Sequence, residues 1–144
     1  MSICVLVADS SKARFFSAPD GHSDLQQDRD MSHSDSRLKE QDLVANGVGS
    51  ASDAGGYGKH LMGHENAAHQ RQAEMFANEL SSELDKTRQS NGLLRIYLIA
   101  APRFLGLLRE SLSSQCTALL TSEINKDLVN HNIKDIRSHL PTHL

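Results

Sequence analysis

The segment Leu93-Leu94-Arg95-Ile96-Tyr97-Leu98-Ile99-Ala100 is the strongest strand signal in this chain, and its two borders constrain the fold more than any other feature. Before it, Ser90-Asn91-Gly92 stops a long helical pattern, with Gly92 suited to the left-handed position that closes a helix. After it, Pro102 opens a second helix where a missing backbone N–H costs nothing. A strand between two helices points to an α/β domain. Residues 3–8 form a continuous apolar run, the pattern of a strand buried on both faces. Asp9-Ser10-Ser11 reads as a turn, Ala13-Arg14-Phe15-Phe16 resumes a strand, and Pro19-Asp20-Gly21 turns again. With a polar edge strand at 24–31, residues 2–31 read as a three-stranded meander.

The helix before Leu93 is expected over 66–90, with Asn66 as N-cap and Ala73, Phe76, Ala77, Leu80 and Leu84 on one apolar face. Phe104, Leu105, Leu108 and Leu112 form the buried stripe of the next helix. A strand at 118–124 and a closing helix at 132–140 complete the order. The expected fold is one α/β domain over residues 1–144, a mixed and mostly parallel sheet flanked by helices, with right-handed crossovers. Residues 32–65 interrupt this pattern. They hold six of the nine glycines, show no periodicity, and read as one long loop.

Composition narrows the function. No stretch approaches the roughly 18 apolar residues of a membrane span. The opening Met1-Ser2-Ile3-Cys4-Val5-Leu6-Val7-Ala8-Asp9 has no basic leader and too short an apolar run for a signal peptide, so a cytoplasmic protein without a membrane partner is expected. The net charge is −3, and residues 1–72 carry seven Lys/Arg against ten Asp/Glu. Binding driven by charge alone needs a basic excess, so DNA is not an expected partner and any RNA contact must be local. Cys4 and Cys116 lie in apolar segments and read as small buried thiols.

Four constellations carry chemistry. The first is Gly55, Gly56, Tyr57, Gly58, Lys59 and His60, where a ring, a cation and an imidazole on a glycine-rich loop suit contact with RNA. Its glycine spacing matches neither a P-loop nor a dinucleotide fingerprint. The second is His60, His64 and His69. His64 and His69 stand five apart rather than four, so they fall on different faces of a helix, and no metal or cofactor site is expected. The third is Pro102-Arg103-Phe104 after the best strand, where Arg103 can meet a phosphate at a helix start or serve as a surface charge. The fourth is Asp9, Glu123 and Asp127 at predicted strand ends. Brought together, they would hold magnesium for a nuclease, while Asp9 alone would cap its turn. A serine hydrolase lacks its Gly-x-Ser-x-Gly elbow.

Asp9-Ser10-Ser11-Lys12-Ala13-Arg14, Ser36-Arg37, Asp42-Leu43, Asp53-Ala54-Gly55-Gly56-Tyr57-Gly58-Lys59-His60, Phe76-Ala77, Lys126-Asp127-Leu128 and above all Ala101-Pro102-Arg103-Phe104-Leu105-Gly106-Leu107-Leu108-Arg109 resemble the bacterial host attachment protein family, proteins required for attachment to host cells. That family is similar in element order to the middle domain of archaeal and eukaryotic class-one peptide-release factors, which implies a release-factor-like, RNase H-like sheet. In those factors a Gly-Gly-Gln loop promotes hydrolysis of peptidyl-tRNA at the ribosome. Here Gly55-Gly56 is followed by Tyr57, so the amide that places the attacking water is absent. The resemblance implies a translation- or RNA-associated accessory factor whose loop reaches the ribosome or tRNA, with Lys59, Arg37 and Arg103 meeting phosphate. The alternatives are a non-enzymatic interaction protein influencing attachment to host cells, and a metal-dependent nuclease.

Overall fold

The computed structural model describes residues 2–33 and 58–144; for residues 58–66 and 91 it describes the backbone alone. The element order is β1 (Ser2–Ala8), β2 (Lys12–Ala18), β3 (Gln26–Ser32), α1 (Gly58–Asn91), β4 (Leu93–Ala100), α2 (Pro102–Ser111), α3 (Ser114–Leu119), β5 (Leu120–Asn125) and α4 (Ile133–Ser138). Five strands form one sheet in the order β3-β2-β1-β4-β5.

The sheet is mixed, but the expectation that it is mostly parallel is corrected. β1 pairs antiparallel with β2, and β2 antiparallel with β3. β1 pairs parallel with β4, and β4 parallel with β5. The pairings divide evenly because the first three strands are joined by tight turns. Only the later strands have helices long enough to return the chain in the same direction.

Alternation along the central strands builds two cores. Cys4, Leu6 and Ala8 of β1 and Ile96, Leu98 and Ala100 of β4 face α1, α2 and α3, where Phe76, Leu80, Leu84, Phe104 and Leu108 cover them. Ile3, Val5 and Val7, with Tyr97 and Ile99, face the other way onto Leu128, Val129, Ile136 and Leu144. A strand covered on both sides reads as a continuous apolar run, which is why residues 3–8 and β4 were the plainest elements in the sequence.

The helix borders follow local chemistry. Gly92 sits at φ 73° and closes α1, its N–H donating to the Arg88 carbonyl at 3.1 Å. Pro102 occupies the first turn of α2, and Phe104, Leu105 and Leu108 are buried beneath it. Asn132 caps α4, its side chain accepting from the Asp135 N–H.

Two borders differ from expectation. α1 begins at Gly58, so Asn66 lies inside the helix and not at its cap, and residues 58–65 are helical rather than part of a loop. The short helix α3 stands where none was expected, ahead of a strand that starts two residues later than predicted. Its N-cap is Ser113, whose hydroxyl accepts from the Cys116 N–H at 3.2 Å. Ser32 belongs to β3 and His33 follows it. The rest of the expected 32–65 loop lies outside the described residues.

Candidate functional site

β1 and β4 lie side by side and parallel, with Ala8 opposite Ala100. The chain leaves β1 toward β2 on one side and leaves β4 toward β5 on the other. Adjacent parallel strands whose connections part in this way leave a crevice beyond their carboxyl ends, the usual place for ligands in α/β sheets. A cleft of about 670 Å³ opens there. Its floor comes from Asp9 and Ser10, one wall from Ala101, Arg103, Phe104 and Leu107, and the other from Ala67, His69, Gln70 and Ala73 of α1.

Asp9 first shapes the floor. Its Oδ1 accepts from the Ser11 N–H at 2.8 Å, the Ser11 hydroxyl at 3.0 Å and the Lys12 N–H at 2.7 Å. The Asp9 N–H donates to the Lys12 carbonyl at 2.9 Å, which closes the turn. Every donor from the turn goes to the same oxygen.

Arg103 is exposed on the first turn of α2 and makes no hydrogen bond or ion pair among the described residues. Ala101 at the N-cap supplies no side-chain hydrogen bond. The amides of Arg103 and Phe104 therefore keep the donors that a helix start leaves over. The first helical bond is Leu105 N–H to Ala101 carbonyl, at 2.9 Å. A guanidinium beside uncapped amides is chemistry suited to an anion. By contrast Arg109 is engaged, its Nε 2.7 Å from Glu123 Oε1.

The structure separates the other expected groups. Asp9 is in the turn, Glu123 is paired with Arg109, and Asp127 is exposed after β5. Among the described residues no three His, Cys, Asp or Glu side chains stand close enough to share a metal ion, so the carboxylate triad expected of a nuclease is not assembled. Gly58, Lys59 and His60 form the first turn of α1 rather than a loop. Gly55, Gly56, Tyr57 and Arg37 lie outside the described residues. His69 lines the cleft.

One polar residue escaped the sequence reading. His33 is 1% exposed, and among the described residues neither ring nitrogen has a hydrogen-bond partner. Its backbone N–H donates to the Ser11 carbonyl at 2.8 Å, and its ring centroid lies 5.5 Å from that of Phe76. Within Met31-Ser32-His33-Ser34-Asp35 nothing marks it as buried, because a polar run reads as a turn. Gln70 was also missed, as a single polar residue with no motif around it, and Ser10 was read only as part of the Asp9 turn.

A family model described as "protein required for attachment to host cells" matches residues 4–140. The chain belongs to this family. Among solved structures, an archaeal translation termination factor, aRF1, is similar at 10% identity and a TM-score of 0.44, over 87% of this chain. The chain spans 30% of that factor's length. Comparison with curated proteins gave no match. Among the described residues of this host-attachment family member, no helix is long and apolar enough to cross a membrane.

Proposed function

We propose that this protein is a cytoplasmic, translation- or RNA-associated accessory factor that meets RNA phosphate at the carboxyl ends of β1 and β4. The observation that carries this reading is Arg103. It stands unpaired among the described residues on an uncapped helix start, at the mouth of an open cleft. The opposite wall belongs to α1, and Gly55, Gly56 and Tyr57 lead in sequence directly into that helix. Lys59 and His60 occupy its first turn. The glycine segment thus leads into the helix that forms one wall of the cleft, while Arg103 stands on the other. Local contact also fits a net charge of −3, which leaves no overall basic excess. The strand order, with β2 alone reversed, supports the expected RNase H-like grouping.

Sucrose-gradient sedimentation of lysate tests the reading. The wild-type protein is expected to migrate with ribosomal particles, and Arg103→Glu or a combined Gly55→Ala/Gly56→Ala change to release it. Confinement of the wild type to the soluble top fractions overturns it. The family's description favours a second reading, a non-enzymatic interaction protein that influences attachment to host cells. Labelling of this protein by a membrane-impermeant reagent on intact cells would favour that reading.

A further inference from the structure

Resting on that reading of the cleft, we propose that its occupant is a nucleoside monophosphate unit, either a free mononucleotide or the terminal nucleotide of an RNA strand. The cavity, about 670 Å³, lies within the range of small-molecule sites and is too small for a folded partner. Its polar groups are unlike at different places, and this asymmetry identifies the ligand. On the α2 wall, the Arg103 guanidinium and the amides of Arg103 and Phe104 offer donors only, which suits one phosphate.

On the floor, Asp9 offers the opposite. Its turn saturates Oδ1 with three donors, and Oδ2 has no donor among the described residues. A carboxylate oxygen with spare acceptor capacity suits a sugar hydroxyl and repels a second phosphate. Asp9 and Ala101 directly follow the paired residues Ala8 and Ala100, so donor and acceptor regions are neighbours. Monophosphates are therefore favoured over di- and triphosphates. The rest of the lining is the apolar side of Ala73, Phe104 and Leu107, which can cover a base without selecting one. Gln70 on the α1 wall donates one amide N–H to Glu74 at 3.2 Å and keeps its carbonyl oxygen and its second N–H for a base edge.

Titration of the ¹⁵N-labelled full chain tests the assignment, with adenosine 5′-monophosphate, adenosine, inorganic phosphate and a short single-stranded oligoribonucleotide as probes. The monophosphate or the oligonucleotide is expected to shift the amides of Ser10, Gln70, Arg103 and Phe104. Arg103→Glu should weaken that binding about tenfold to a hundredfold, as loss of a charge-assisted contact does. Arg103→Lys should retain part of it. Arg103 is exposed, and an unchanged spectrum of the free variant verifies its fold. Stronger binding of the monophosphate identifies a free nucleotide as the source; stronger binding of the oligonucleotide at the same amides identifies a strand terminus. Inorganic phosphate binding as tightly as the monophosphate overturns the nucleoside assignment, as do amides unmoved by every probe. Ribosomal co-migration without nucleotide binding overturns this inference alone. Nucleotide binding by a protein that stays in the soluble fractions overturns only the translation reading.

Discussion

Cys4 and Cys116 are both buried, in quite different surroundings. Cys4 is 4% exposed, and burial first, then the nearby Asp28 carboxylate, pushes its thiol up to about 12. Cys116 is also raised, mainly by burial, although the Ser113 hydroxyl works against that shift. Both are free thiols. Since the thiolate is the reactive species, neither should react with a disulfide reagent at pH 8 in the folded protein. Both should titrate fully in guanidinium, and a thiol that reacts before unfolding would show that its segment opens locally. Gly21 shows the same control by packing. A Cβ there would lie 2.7 Å from the His143 ring and 2.7 Å from the Leu144 carbonyl oxygen, so the turn after β2 accepts the C-terminal segment only because it lacks a side chain.

Between elements, the junction of α1 with α3 depends on one carboxylate. Asp85 accepts from the Ser113 hydroxyl at 2.7 Å and the Cys116 thiol at 3.3 Å, with Arg88 Nε at 3.4 Å. The Ser113 hydrogen bond foremost holds the Asp85 carboxyl below its ordinary value of 3.8; partial burial opposes this, and the Cys116 and Arg88 contacts add to it. The folded group thus releases its proton more readily than the unfolded one. Its stabilisation is complete above the unfolded value and is lost as pH falls through the lower, folded one. Asp85→Asn should lower stability at pH 7 and flatten the acid limb of a urea-midpoint profile between pH 7 and 3. Parallel profiles for variant and wild type would assign the acid sensitivity elsewhere. Ser113→Ala removes the cap of α3 as well as this bond, and should cost about 0.5–2 kcal/mol by the same measurement.

At the scale of the whole molecule, the sheet is a shared wall. Leu98 and Ile99 are adjacent in β4 and both fully buried, yet they belong to opposite cores. Leu98→Ala and Ile99→Ala should each cost about 2–5 kcal/mol. Each should also leave a single unfolding transition, because neither core has a wall without β4. Separate transitions followed by near-ultraviolet dichroism and by helix content would show that the two layers unfold independently. Arg14 binds the layers further: its guanidinium donates to the Val129 carbonyl at 3.1 Å and to the His131 carbonyl, fastening the segment before α4 to β2.

Where structure follows from neighbouring residues, the sequence was enough. The apolar runs of β1 and β4, the left-handed Gly92, Pro102 at a helix start and the Asp9 turn were all legible, since each depends on sterics or hydrogen bonds a few residues apart. The early start of α1 was not legible, because Gly58 and Gly63 are poor helix formers and the stretch around them reads as loop. Nor was the buried place of His33, which comes from Phe76 on a distant helix. The sequence determined Arg103 as a candidate anion contact from its position behind Pro102. Only the tertiary structure decided that Asp9, Gln70 and Arg103 share one cleft. Their meeting depends on β1 pairing parallel with β4 and α1 lying over both, and such long-range matching of buried faces leaves no local mark in the chain.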